Sequence, residues 1–130
     1  MREHLYRGKD SIGNWRFGNL IASSYEKDGN IEHVYSIQGI NDKSYCSGID
    51  EKSIGQYTGL TDRNEKKIFE GDIVQFEHGL MIVCWNEKAA SFCLNYLSFD
   101  PKESIWFDND INSDKVVVIG NIHDNKDLLK

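Results

Sequence analysis

The carboxylates Glu70 and Asp72 stand two residues apart, the spacing that puts both on one face of an extended strand. Such a pair can serve acid–base chemistry or hold a metal, provided that burial raises one of the two pKa values. Both flank Gly71 at a turn, where solvated or capping roles are the commoner use. Nothing in the surrounding sequence suggests burial. Cys46, Cys84, Cys93 and the four histidines His4, His33, His78 and His123 could ligate a metal or supply a nucleophile. None forms the close Cys or His pairs of a zinc site. Cys84 and Cys93 suit small core side chains better. No nucleophile elbow, phosphate-binding loop, HExxH or dinucleotide fingerprint occurs. No cofactor, metal or catalytic residue is therefore expected, and the protein is read as a non-enzyme.

Two segments have the chemistry of contact surfaces. Residues 100–114 carry five Asp or Glu against one Lys. Trp106, Asp108 and Asp110 there set an aromatic anchor among negative charges, as in a protein-binding hot spot. That arrangement would suit a protein surface that otherwise receives nucleic acid. Arg63, Lys66 and Lys67 form the basic alternative, a loop from Thr61 to Lys67 able to meet phosphates. The aromatics Tyr6, Trp15, Phe17, Tyr25 and Tyr35 could stack on bases. The first fifty residues hold six basic and seven acidic side chains, so core packing is the better reading of those rings.

The elements that position these residues are strands. The chain has 130 residues with a formal net charge of −6, 39% hydrophobic and 28% charged residues. That is enough chain to fold without disulfides or metals, and the acidity disfavours a large phosphate-binding surface. The longest apolar run, Leu80 to Trp85, is too short for a membrane helix. The charged N-terminal stretch MREHLYRGKD lacks the apolar core of a signal peptide. A reducing cytoplasm with free thiols is expected.

Gly-Asn and Gly-Asp pairs recur between short β-branched and aromatic runs, the pattern of a mainly β chain. An N-terminal β-hairpin region over residues 1–52 has strands at Leu5–Arg7, Trp15–Ile21 and Ile31–Ile37, with turns at Asp10–Asn14 and Asp28–Asn30. Residues 53–130 are expected to form a small SH3-like twisted barrel. Its strands run from Ile73 to Glu77, Leu80 to Asn86, through Phe92, Leu94 and Tyr96, and from Val116 to Ile119. His78-Gly79 is the predicted turn, and residues 125–129 a short helical turn. In the second strand Met81, Val83 and Trp85 share one face, and Leu80, Ile82 and Cys84 the other, so it is expected to be central. Tyr6-x-Gly8 followed by Trp15 to Ile21 echoes Tyr57-x-Gly59 followed by Lys67 to Val74, an internal repeat or reuse of turn chemistry.

Several blocks resemble the YopX family. They are Leu5-Tyr6-Arg7-Gly8-Lys9 with Trp15-x-Phe17-Gly18, then Gly55-Gln56-Tyr57-Thr58-Gly59-Leu60-Thr61-Asp62-Arg63-Asn64, then Lys66 through Val74, and Val118-Ile119-Gly120-Asn121-Ile122-His123-Asp124-Asn125. Glu65 stands where relatives often have glycine, and Lys126 where many have proline. The resemblance implies a mostly β protein encoded by bacteriophages or prophages, and it carries over no catalytic site. The expected function is that of an accessory protein binding a host or phage protein, with self-association as a further expectation. A nucleic-acid-binding barrel is the alternative.

Overall fold

The computed structural model describes residues 4–77, 79–96, 104–106 and 115–129. The chain divides into two units, Met1–Gln56 and Tyr57–Lys130. Both are antiparallel β, as the turn-punctuated sequence predicts. Among the described residues there is no α-helix, and no helix is long and apolar enough to cross a membrane.

In the first unit β1 (Tyr6–Lys9), β2 (Trp15–Lys27), β3 (Asn30–Gln38) and β4 (Tyr45–Ser47) lie in the order β4-β3-β2-β1. The start of β5 (Gly55–Thr61) pairs with β1 through Tyr6↔Gln56 and Arg7↔Gly55. Asp28 and Gly29 connect β2 to β3 with positive φ at both positions (51° and 82°), and Lys27 pairs with Asn30. This is the two-residue turn whose twist matches antiparallel strands, and Asp-Gly tolerates it well. The β2–β3 hairpin is much longer than the sequence reading of Trp15–Ile21 suggests. The core of this unit is small: Leu5, Ile37 and Ile49 are buried. Gly8 is required there, because a Cβ on it would stand 2.4 Å from Ile49 Cγ2.

In the second unit the rest of β5 pairs with β6 (Lys67–Phe69). β7 (Asp72–Phe76), β8 (Gly79–Asn86), β9 (Ser91–Tyr96), β10 (Ser104–Trp106) and β11 (Val116–Asn121) form a second sheet in the order β10-β9-β8-β7-β11. β8 is central, as its two apolar faces require. Met81 and Val83 join Ile68, Val74, Phe92, Leu94, Val116 and Val118 in the core. Trp85 lies beyond that core, exposed and edge-on to Phe92 with ring centroids 4.9 Å apart. The turn before β8 falls one residue earlier than predicted. Gly79 belongs to the strand, paired with Phe76, and Glu77 takes the left-handed φ of 54°. The C-terminal turn is a 3-10 segment, Lys126–Leu129.

The expected SH3-like closure is not found. Among the described residues no pairing joins β10 to β11, so the sheet is open. The outer edge of β11 is instead met by a loop. The Arg63 amide donates to the Val116 carbonyl (3.0 Å), and the Val118 amide donates to Asp62 Oδ2 (2.9 Å). These bonds satisfy the edge without another strand.

That loop has a counterpart in the first unit. The Asp62 amide donates to the Lys66 carbonyl (2.8 Å), and the amides of Asn64 and Lys66 donate to Asp62 Oδ1 (2.8 and 2.9 Å). The Asp10 amide donates to the Asn14 carbonyl (2.9 Å), and the amides of Ile12 and Asn14 donate to Asp10 Oδ1 (3.1 and 2.9 Å). Each loop has one positive φ at its fourth residue, Gly13 at 89° and Glu65 at 64°.

Candidate functional site

β1 pairs with β2 only from Trp15 to Gly18, and β4 pairs with β3 only from Ser36 to Gln38. The Ile49 amide reaches the Tyr35 carbonyl (2.9 Å), and beyond it β3 has no further neighbour on that side among the described residues. From Ser23 to Val34 the hairpin is thus a two-stranded ribbon with two open edges, and the outer edge of β2 is already open from Asn19 among the described residues. Its distal side chains, from Ile21 to His33, are all exposed. Among them are three large apolar groups, Ile21 (40% exposed), Tyr25 (50%) and Ile31 (69%). Ile21, Ser23 and Tyr25 share one face of β2, and Val34 opposes Ser23 across the hairpin.

A two-stranded ribbon is marginal alone, and open edges present a row of unpaired amides and carbonyls. Sheets commonly bind an extended segment at such an edge, with alternate side chains giving selectivity. The ribbon is therefore the candidate contact surface of this unit. Sequence reasoning missed it as a site. The signal was Asp28-Gly29, the dipeptide of a two-residue hairpin turn, with no proline on either side from Trp15 to Ile37. Strands that long outreach the cover available in a unit of this size.

The residues singled out from sequence are dispersed. Trp106 ends β10, where it pairs with Cys93. Asp108 and Asp110 lie outside the described residues, as does His78. Arg63 and Lys66 are exposed on the Asp62 loop. Lys67 stands on β6 with its Nζ 5.0 Å from the Tyr57 ring centroid. The aromatics do not form one stacking platform. Trp15 is half-buried beside Arg7 and Lys9, whose cationic groups lie 4.8 and 5.3 Å from its ring. Phe17 and Tyr25 share a face of β2 but stand eight residues apart, roughly 25 Å along a strand.

Asp72 has the capping role expected of a turn carboxylate but is buried, which the sequence does not suggest, and its Oδ2 accepts from the Phe69 amide (2.7 Å). It caps the β6–β7 turn. Burial also pushes the Cys84 thiol up to about 11, with the neighbouring Cys93 adding to the shift. Cys84 and Cys93 oppose each other on β8 and β9, and neither is in a disulfide. Among the described residues no three His, Cys, Asp or Glu are grouped to hold a metal ion.

Arg63 does find a second cation. With Lys115, Gln75, Phe76, Glu77 and Val117 it lines an open groove of about 410 Å³. Arg63 is held there by its loop. Burial alone would raise the Asp62 pKa, but the amides of Val118, Lys66 and Asn64 together bring it below the ordinary 3.8. The carboxylate stays charged and fixes the backbone from which Arg63 projects. Lys115 had no sequence signal, because only the β11 register brings it beside this loop.

The family model described as "YopX protein" matches residues 5–130. No curated protein matches the chain. Among solved structures, the crystal structure of protein EF1440 from Enterococcus faecalis is similar, with a TM-score of 0.55 and 21% identity over the whole of both chains. At that identity the likeness is one of fold.

Proposed function

The chain belongs to the YopX family, and on that premise we propose that it is a non-enzymatic accessory protein of phage or prophage origin. It works in the bacterial cytoplasm by binding a host or phage protein. The observation that carries this reading is the ribbon. Residues 23–34 expose both edges, and Ile21, Tyr25 and Ile31 are large apolar side chains exposed on the hairpin of a unit whose buried core is small. An arm of this kind is marginally stable by itself and leaves apolar side chains in water, and a partner covering it would remove both costs. The segment around Trp106, Asp108 and Asp110 is a second contact surface in this reading. The test is tagged capture from nuclease-treated host lysate. The parent chain is expected to retain a stoichiometric protein that Tyr25→Lys, or Trp106→Ala for the second surface, releases without a change in Tm.

One observation favours a second reading, binding of nucleic acid. Arg63 and Lys115 share a groove whose lining includes one carboxylate, Glu77. A phosphate would suit the space between them, although the net charge of −6 limits the footprint. Binding of that kind would weaken steeply with salt and with Arg63→Ala or Lys115→Ala.

A further inference from the structure

We propose that the open edge of β2 pairs with β2 of a second copy of this chain. The two strands run antiparallel about a two-fold axis at Ser23. This rests on the reading of the ribbon as a contact surface and names one occupant of it.

β1 leaves β2 after Gly18, so the edge from Asn19 to Lys27 is unpaired among the described residues. A two-fold perpendicular to the ribbon keeps each side chain on its own face, so the axis must pass through a residue position. Centred on Ser23, the pairing sets Ala22 against Ser24, Ile21 against Tyr25, Leu20 against Glu26 and Asn19 against Lys27. Each of these contacts occurs twice. Ile21 and Tyr25 are both exposed, and an aromatic opposite a β-branched residue is among the favourable cross-strand pairs. Small residues occupy the middle, and no like charges meet. Centring on Ala22 would oppose Ile21 to Ser23 and Tyr25 to Asn19. Centring on Ser24 would oppose Ile21 to Lys27 and Ala22 to Glu26. Only the Ser23 register joins the two large apolar groups. The product is a four-stranded ribbon shared by two chains, which clears the minimum for a stable sheet. The contact is smaller than a standard protein interface, so a dissociation constant on the order of 10 μM is expected.

Sedimentation equilibrium of the full chain from about 1 to 300 μM tests this. A concentration-dependent dimer is expected. Ile21→Glu and Tyr25→Lys should each weaken it at least tenfold. The double variant should return to within about threefold of the parent, because each Glu then opposes a Lys. Ser23→Cys should form an intermolecular disulfide on mild oxidation, and Ser24→Cys should not. All four positions are exposed, so Tm measured well below the dissociation constant should be unchanged. A chain that stays monomeric at 300 μM overturns the proposal. So does a dimer indifferent to the single variants, or one that the double variant fails to restore. If the chain is monomeric yet Tyr25→Lys still releases a captured protein of another kind, the functional reading stands and this inference alone fails.

Discussion

The carboxylates of Asp10 and Asp62 organise two loops with the same hydrogen bonds, one in each unit. In both, Oδ1 receives the amides two and four residues on, and the fourth loop residue takes a left-handed φ. The second oxygens diverge. Asp10 Oδ2 accepts from Arg16 Nε within its own hairpin (3.0 Å), whereas Asp62 Oδ2 accepts from Val118, 56 positions away. One loop is a local turn, and the other ties β11 into its unit.

The left-handed position makes a matched pair of predictions. Gly13 has open space around it, so Gly13→Ala tests the backbone alone and should destabilise by about 1 kcal/mol. Glu65 bears that strain already, at φ 64°. Glu65→Gly relieves it at the cost of extra unfolded-state freedom, for a net gain of about 0.5 kcal/mol. Urea denaturation midpoints check both signs.

The Asp62 pKa is lowered in the folded chain, so its contribution to stability has a definite sign with pH. The contribution is complete above the ordinary carboxylate value of 3.8 and is lost as pH falls through the lower folded value. Asp10 shifts the same way, chiefly through the Asn14 amide and also through Arg16, and adds to the acid limb. Asp62→Asn should cost about 1–3 kcal/mol at pH 7, by leaving one of its buried donors poorly matched. It should also flatten the fall in stability between pH 5 and pH 2. Denaturation midpoints measured across that range check this.

Much of this architecture can be read from residue order. Asp28-Gly29 specified its turn because both residues accept positive φ. The alternation Met81, Val83 marked the buried face of β8, and Phe92 and Leu94 that of β9. Sheet closure could not be read in the same way. Whether β11 meets a strand or a loop depends on the bond from Val118 to Asp62, and no local pattern encodes a contact across that separation. The ribbon was underestimated for a related reason. Periodicity marks strands but does not say whether anything covers them. The burial of Asp72 is not legible because its partner, the Phe69 amide, is backbone and leaves no trace in side-chain pattern.

The thiols carry a prediction of reactivity. With its pKa pushed up to about 11, Cys84 is thiolate in about one molecule per thousand at pH 8. Its alkylation by iodoacetamide in the native chain should be at least a hundredfold slower than in the urea-unfolded chain. Mass spectrometry of peptides from timed quenches resolves the individual sites.

Core and ribbon should respond differently to truncation. Met81 is fully buried at the centre of its sheet, and Met81→Ala should cost about 2–5 kcal/mol. Ile31→Ser, at a site 69% exposed, should stay within about 0.5 kcal/mol. Thermal and urea unfolding of the two variants measure the contrast.

The most direct test of the ribbon as the working surface is capture from nuclease-treated lysate by three chains: parent, Ile31→Ser and Tyr25→Lys. The ribbon as working surface requires a stoichiometric protein held by the parent and lost from Tyr25→Lys at unchanged Tm; a second copy paired along β2 should still be held by Ile31→Ser, because Ile31 pairs with Glu26 and stands on the opposite face from Tyr25. Capture that is indifferent to both substitutions, or that disappears with nuclease alone, would contradict it.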